Sequence, residues 1–208
     1  MRRSGMPLHR VIKPILFVAL GWPAASFAID YLQGEEFSPW RTLLQDSGLY
    51  AMRFIVLGLA VTPLRVLTGW SWVQGLRRMI GLYAAFYTAL HVFAWCRQYG
   101  YDWSFLLDEV VQRFYLLIGL IATLAMVPLT LTSFDAATRA LGGAAWRKLH
   151  RLVFPAALLA WWHYLLSRGL APREVYADAI LLTILIGLRI LLAWRRANPA
   201  IVPSRGQP

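Results

Sequence analysis

Long apolar runs alternate with short polar segments along the whole chain. Six windows are apolar over about 20 residues, the length an α-helix needs to cross a bilayer core. They lie at roughly 11–31, 48–66, 78–97, 113–132, 149–167 and 175–194. Turn residues punctuate them: Gly34 and Pro39, Gly69 and Gly75, Gly100, Gly142-Gly143, Gly169 and Pro172. Pro14, Pro63, Pro128 and Pro155 fall within or at the ends of windows. A membrane bundle tolerates such prolines as kinks or ends, because neighbours satisfy the freed backbone groups. The pattern predicts an all-α fold, a polytopic membrane bundle of six transmembrane helices. Residues 1–195 form one domain, and the polar, Pro-containing stretch 196–208 reads as a disordered cytoplasmic tail. No internal repeat is visible. The first window follows basic residues, as a signal peptide would, but five similar windows follow, so a retained helix is expected.

Composition strengthens this picture. Of 208 residues, 59% are hydrophobic and 15% charged, and the mean hydropathy is +0.52. A soluble domain of this length carries more charge and shorter apolar runs. The net charge of +11 does not indicate nucleic acid, since the basic residues flank apolar windows and form no continuous basic face. Cys96 is the sole cysteine, which excludes an internal disulfide or a cysteine zinc site.

Basic residues also give orientation. Fifteen Lys/Arg fall with the termini and the second and fourth loops, against six on the other side (Arg41, Arg53, Arg97, Arg113, Arg168 and Arg173). The positive-inside rule therefore puts both termini in the cytoplasm of a cell whose inner membrane holds the bundle. Nine of the ten acidic residues lie outside, Asp135 being the exception.

Ionisable groups inside a membrane are costly and default to function. His9 sits in the basic N-terminal segment and reads as solvated. His91 lies in the third window, His150 opens the fifth, and His163 lies late in the fifth. A lone intramembrane histidine often just bonds a neighbouring helix. Here both windows run outward, so His91 and His163 reach a similar depth on two helices. Two facing neutral imidazoles are what a six-coordinate haem requires. Phe93, Trp161, Trp162 and Tyr164 are expected to suit a flat porphyrin. His150 and His163 are 13 residues apart, about 20 Å along a helix, which suits a second, inner haem. That inner site lacks a second histidine. Arg77, 14 residues before His91, is a poor iron ligand but a good partner for a propionate. Arg77, Arg78, Arg147, Lys148 and Arg151 would also attract a flavin phosphate. Neither an HExxH zinc motif, a Ser–His–Asp set nor a phosphate loop is present.

Two stretches carry a resemblance: TPLRVLTGWSWVQGLRRMIGLYAAFYTALH at 62–91 and LTSFDAATRALGGAAWRKLHRLVFPAALLAWWHYL at 131–165. The chain resembles the MsrQ (YedZ) family, within the wider ferric-reductase-like transmembrane group. The resemblance implies b-type haem (heme b, one or two), with His91, His150 and His163 as iron ligands, and a bound FMN. It implies a heterodimeric partner, the periplasmic molybdopterin-dependent methionine sulfoxide reductase catalytic subunit, and a role in repairing oxidised periplasmic proteins. No nucleotide-binding domain follows the sixth window. Electrons are thus expected from the quinone pool or a cytoplasmic flavin reductase, with this chain an electron-transfer subunit rather than the catalytic one. A ferric-chelate reductase is the alternative. A small transporter with proton-relaying histidines is disfavoured, since no carboxylate falls in the middle of a window.

Overall fold

The apolar windows become helices, and so do two of the segments between them. The computed structural model describes residues 8–34, 37–168 and 173–198, with no strand among them. The helices are α1 (Leu8–Gln33), α2 (Pro39–Thr68), α3 (Arg77–Gln98), α4 (Trp103–Gln112), α5 (Phe114–Leu131), α6 (Asp135–Leu149), α7 (Val153–Arg168) and α8 (Arg173–Ala197). Two 3-10 segments, Ser71–Leu76 and His150–Leu152, lead directly into α3 and α7. The side chain of His9 and the tail beyond Asn198 lie outside the described residues.

Five stretches are long and apolar enough to cross a membrane: Ile12–Gln33, Pro39–Thr68, Ser71–Gln98, Phe114–Leu131 and Val175–Arg195. The fifth window differs. Its α-helix, α7, has 16 residues, about 24 Å at 1.5 Å rise. The preceding 3-10 turn has a rise of about 2 Å per residue and brings His150–Arg168 to roughly the 30 Å of the hydrocarbon core. Pro155 sits in the first turn of α7, where a missing N–H costs nothing.

The two additional helices occupy expected loops. In α4 the Asp102 carboxylate caps the N-terminus by accepting from the Phe105 N–H at 3.1 Å. Its Leu106 is buried, whereas Trp103, Phe105 and Leu107 are exposed, the pattern of a helix lying at a membrane interface. α6 buries nothing and is broken at Gly142, whose φ of 72° is in the left-handed region. Arg78 pairs with Asp135 and ties the start of α3 to the start of α6.

α2 pairs most extensively with α3, and α5 with α7; α2 also touches α7 and α8. Ala51, Phe54, Ile55, Leu59, Ala84, Tyr87, Ala156, Ala157 and Leu182 meet in the core. Lipid is as apolar as these side chains, so close packing and interhelical hydrogen bonds must hold the helices together. Two polar contacts act beside prolines. Next to Pro23 in α1, the Tyr87 hydroxyl bridges one turn of the helix, donating to Leu20 O at 2.9 Å and accepting from the Ala24 N–H at 3.1 Å. Pro63 in α2 has no N–H for the Leu59 carbonyl. Arg189 of α8 supplies the donors instead, with Nε at 3.2 Å and Nη2 at 2.8 Å. The same Nη2 donates to Thr62 Oγ1 at 3.0 Å.

Arg189→Leu should therefore strand a carbonyl at membrane depth and destabilise the bundle by about 1–3 kcal/mol. Thermal melts in detergent check this, with Arg189→Lys, which keeps a donor, falling between the two. A melt equal to the parent's would contradict the assignment.

Candidate functional site

Helix α3 aligns Tyr83, Tyr87 and His91 on one face, each four residues from the next. Each reaches a carbonyl of a neighbouring helix. Tyr83 donates to Phe17 O at 2.6 Å, Tyr87 to Leu20 O, and His91 Nδ1 lies 2.8 Å from Leu44 O of α2. His163 of α7 repeats the last contact: its Nδ1 lies 2.8 Å from Tyr115 O of α5. A carbonyl only accepts, so both Nδ1 atoms carry hydrogen and donate. The neutral rings then keep their Nε2 lone pairs for a ligand.

The two rings face each other between α3 and α7, with centroids 6.0 Å apart and planes at 82°. Metal–imidazole bonds of about 2 Å put the centroids of two trans imidazoles roughly 6 Å apart. No group of three or more His, Cys, Asp or Glu capable of holding a metal ion occurs among the described residues. Two imidazoles alone leave a metal under-ligated, and a tetrapyrrole supplies the four in-plane nitrogens that they lack. Small residues stand on the same helix faces as the pair. Ala84 and Ala156 each lie seven residues, two helical turns, before their histidine, and both are buried with Ala94 and Ala157. The residues present thus fit a bis-imidazole haem.

The aromatic residues expected to line a porphyrin do other work. Phe93 packs edge-on against Trp40, and Trp162 against Phe114. Trp161 Nε1 donates to Val175 O at 3.1 Å and joins α7 to α8. The reason is helical phase: residues one or two positions from a histidine point about 100–200° away from it. The small residues two turns away share its face.

The matched segment of known proteins runs through these same helices. Residues 47–161 match the ferric reductase like transmembrane component family. Curated relatives extend the likeness to most of the chain. It is 35% identical over 191 residues to the protein-methionine-sulfoxide reductase heme-binding subunit MsrQ of Rhodospirillum rubrum, covering 91% of this chain and 92% of that protein. The MsrQ of Azospira oryzae is 36% identical over 201 residues, 95% of this chain and 85% of that one. The MsrQ of Bordetella pertussis is 37% identical over 195 residues, covering 91% and 93%. The chain belongs to the MsrQ family. No solved structure matches it.

In this member of the family, His150 stands apart from the histidine pair. Thr132 Oγ1 donates to Pro128 O at 2.6 Å, so at 3.1 Å it accepts from His150 Nε2–H. Trp146 stacks on the ring at 3.9 Å and donates its own N–H to Thr132 O at 2.9 Å. The ring is thus clasped between the end of α5 and the end of α6. Among the described residues no second imidazole is brought to it. Of the five expected anion partners, Arg78 is engaged by Asp135. Arg77 opens α3 and is partly buried. Arg189 was missed by sequence reasoning, where an arginine late in the last window reads only as topogenic. The Leu44 and Tyr115 carbonyls could not have been found there, because main-chain groups carry no residue identity.

Proposed function

We propose that this chain is the haem-binding membrane subunit of a protein-methionine-sulfoxide reductase system. The observation that carries the reading is the pair His91 and His163, each anchored through Nδ1 at 2.8 Å to a carbonyl and 6.0 Å apart between centroids. The names of the relatives, which state heme binding and the reductase system, support it. One b-type haem would sit between His91 and His163. When bound it supplies one-electron ferric/ferrous chemistry. His91 and His163 would hold the iron, and their Nδ1 contacts to Leu44 O and Tyr115 O would keep each Nε2 turned to it.

His150, clasped by Thr132 and Trp146, then marks the opposite, cytoplasmic end of the bundle. Arg77, at the start of α3, would attract a haem propionate or the phosphate of FMN there. The Lys/Arg asymmetry of 15 to six supports cytoplasmic termini in a bacterial inner membrane. Residues 1–195 act as one ferric-reductase-like domain. Electrons would enter from quinol or a cytoplasmic flavin reductase. They would leave near His91 and His163 for a periplasmic, molybdopterin-dependent catalytic subunit.

The test is an absorbance spectrum of the purified protein, oxidised and dithionite-reduced. A Soret band with the sharp visible bands of a low-spin b haem is expected. Protein purified under haem-replete expression and lacking any Soret band would sink the reading.

A further inference from the structure

The two histidine half-sites share a feature beyond the imidazoles. In an α-helix the carbonyl of residue i points at the N–H of residue i+4, and the i+4 Cβ leans back towards it. A side chain from another helix can reach that carbonyl only if the i+4 residue stays out of the way. Four residues after Leu44 stands Gly48, and four after Tyr115 stands Gly119. A Cβ at Gly48 would lie 2.8 Å from both Cε1 and Nδ1 of His91. At Gly119 it would lie 2.7 Å from Nδ1 and 2.9 Å from Cε1 of His163.

These are contacts with a ring pinned on its carbonyl, not with the loose end of a side chain. Three other helical glycines carry no such constraint. The nearest atom to a Cβ at Gly58 is Ile80 Cγ2 at 3.8 Å, and nothing lies within 4 Å at Gly81 or Gly187. Gly21 follows the same rule more loosely: it stands four residues after Phe17, whose carbonyl accepts from Tyr83, and its Cβ would meet that hydroxyl at 3.3 Å.

We propose that Gly48 and Gly119 are positioning residues: each opens a notch in its helix that lets one histidine dock on the carbonyl one turn earlier. The docking holds the proton on Nδ1 and presents Nε2. The same unit of carbonyl, glycine at +4 and histidine occurs twice, with carbonyl and imidazole 47 residues apart in one copy and 48 in the other. It occurs in the two most extensive helix pairs, α2 with α3 and α5 with α7. The chain thus builds two equivalent ligand mounts from stretches with no visible repeat. An imidazole that donates from Nδ1 is also the more basic ligand at Nε2. Each notch should therefore favour the ferric state and hold the potential down. This consequence rests on the haem reading; the notch itself does not.

The experiment uses the full chain with Gly48→Ala and Gly119→Ala, beside Gly58→Ala and Gly81→Ala as controls. Both notch variants should bind haem about 10-fold or more weakly, and haem that remains should show a higher midpoint potential and a larger high-spin fraction. The controls should match the parent. A second measurement is independent of haem. In apo protein, Gly48→Ala should lower the melting temperature, whereas adding Gly48→Ala to His91→Ala should cost little more than the control Gly58→Ala, because the ring it strikes is gone. Gly119 and His163 should behave alike. A parental spectrum and potential in both notch variants would overturn the proposal. So would Gly48→Ala being as damaging with His91 absent as with it present. If the parent itself binds no haem, the functional reading falls, and the apo melts still decide the notch.

Discussion

His91→Ala and His163→Ala should each remove the whole bis-imidazole haem signal, not half of it. The two rings lie 6.0 Å apart and would serve one iron, so the loss of either opens its coordination. Each ring is also held by a hydrogen bond from a different helix, to Leu44 O and Tyr115 O, so the surviving ligand keeps its position. The expected product is an empty site or a weakly bound, high-spin, five-coordinate haem. His150→Ala should leave the low-spin spectrum in place, because Thr132 and Trp146 occupy that ring at the far end of α7. Reduced-minus-oxidised spectra and electron paramagnetic resonance of the three variants make the comparison. Two variants with undiminished bis-imidazole spectra would break the pairing. A proportionate loss in His150→Ala would instead reveal a second haem on the Arg77 side.

The second large effect concerns transport across the bilayer. In sealed vesicles, reductant on the face carrying the chain termini, or quinol in the bilayer, should drive reduction of methionine sulfoxide by a catalytic subunit on the other face. Without the chain, or with His163→Ala, turnover should fall to the background of empty vesicles. Electrons do not cross about 30 Å of hydrocarbon without a relay. The acceptor is expected against short segments at the His91–His163 end, including α4 with its exposed Trp103 and Phe105. A C-terminal reporter confirms vesicle sidedness, and one active only on the catalytic-subunit face would reverse the orientation. Rapid reduction of ferric chelates with no sulfoxide turnover would replace the reductase role with that of a ferric-chelate reductase.

Much of the bundle is legible along the chain because hydrocarbon imposes a length requirement that hydropathy records directly. The windows at 11–31, 48–66, 78–97 and 175–194 lie inside helices that need only extension, usually at their polar ends, and 113–132 overruns α5 by one residue at each end. The extensions have causes invisible to hydropathy. Pro39 at N1 starts α2 nine residues early, and Gly69 ends it in a left-handed cap whose N–H bonds Arg65 O at 3.0 Å. α4 and α6 escape such reading altogether, since helices lying between spans need no long apolar run. The 3-10 turn at His150–Leu152 escapes it too, because apolar windows do not distinguish one helix type from another.

Residue type and depth alone bring His91 and His163 to the same level of the membrane, because the cost of an imidazole in hydrocarbon makes each one conspicuous. Facing is another matter. Whether two side chains at one depth meet depends on the rotation of each helix, and that is settled by its neighbours. Tyr87 on the Leu20–Ala24 turn beside Pro23, Arg189 on the carbonyl freed by Pro63, and the notches at Gly48 and Gly119 all act between segments distant along the chain. Hydropathy and residue type specify a membrane-spanning helical protein with three histidines at membrane depth. Helix packing makes two of them meet, each with Nδ1 donated to a carbonyl, while the third is clasped by Thr132 and Trp146. Burial along a chain follows from composition, whereas the direction of a lone pair follows from what the other nitrogen touches.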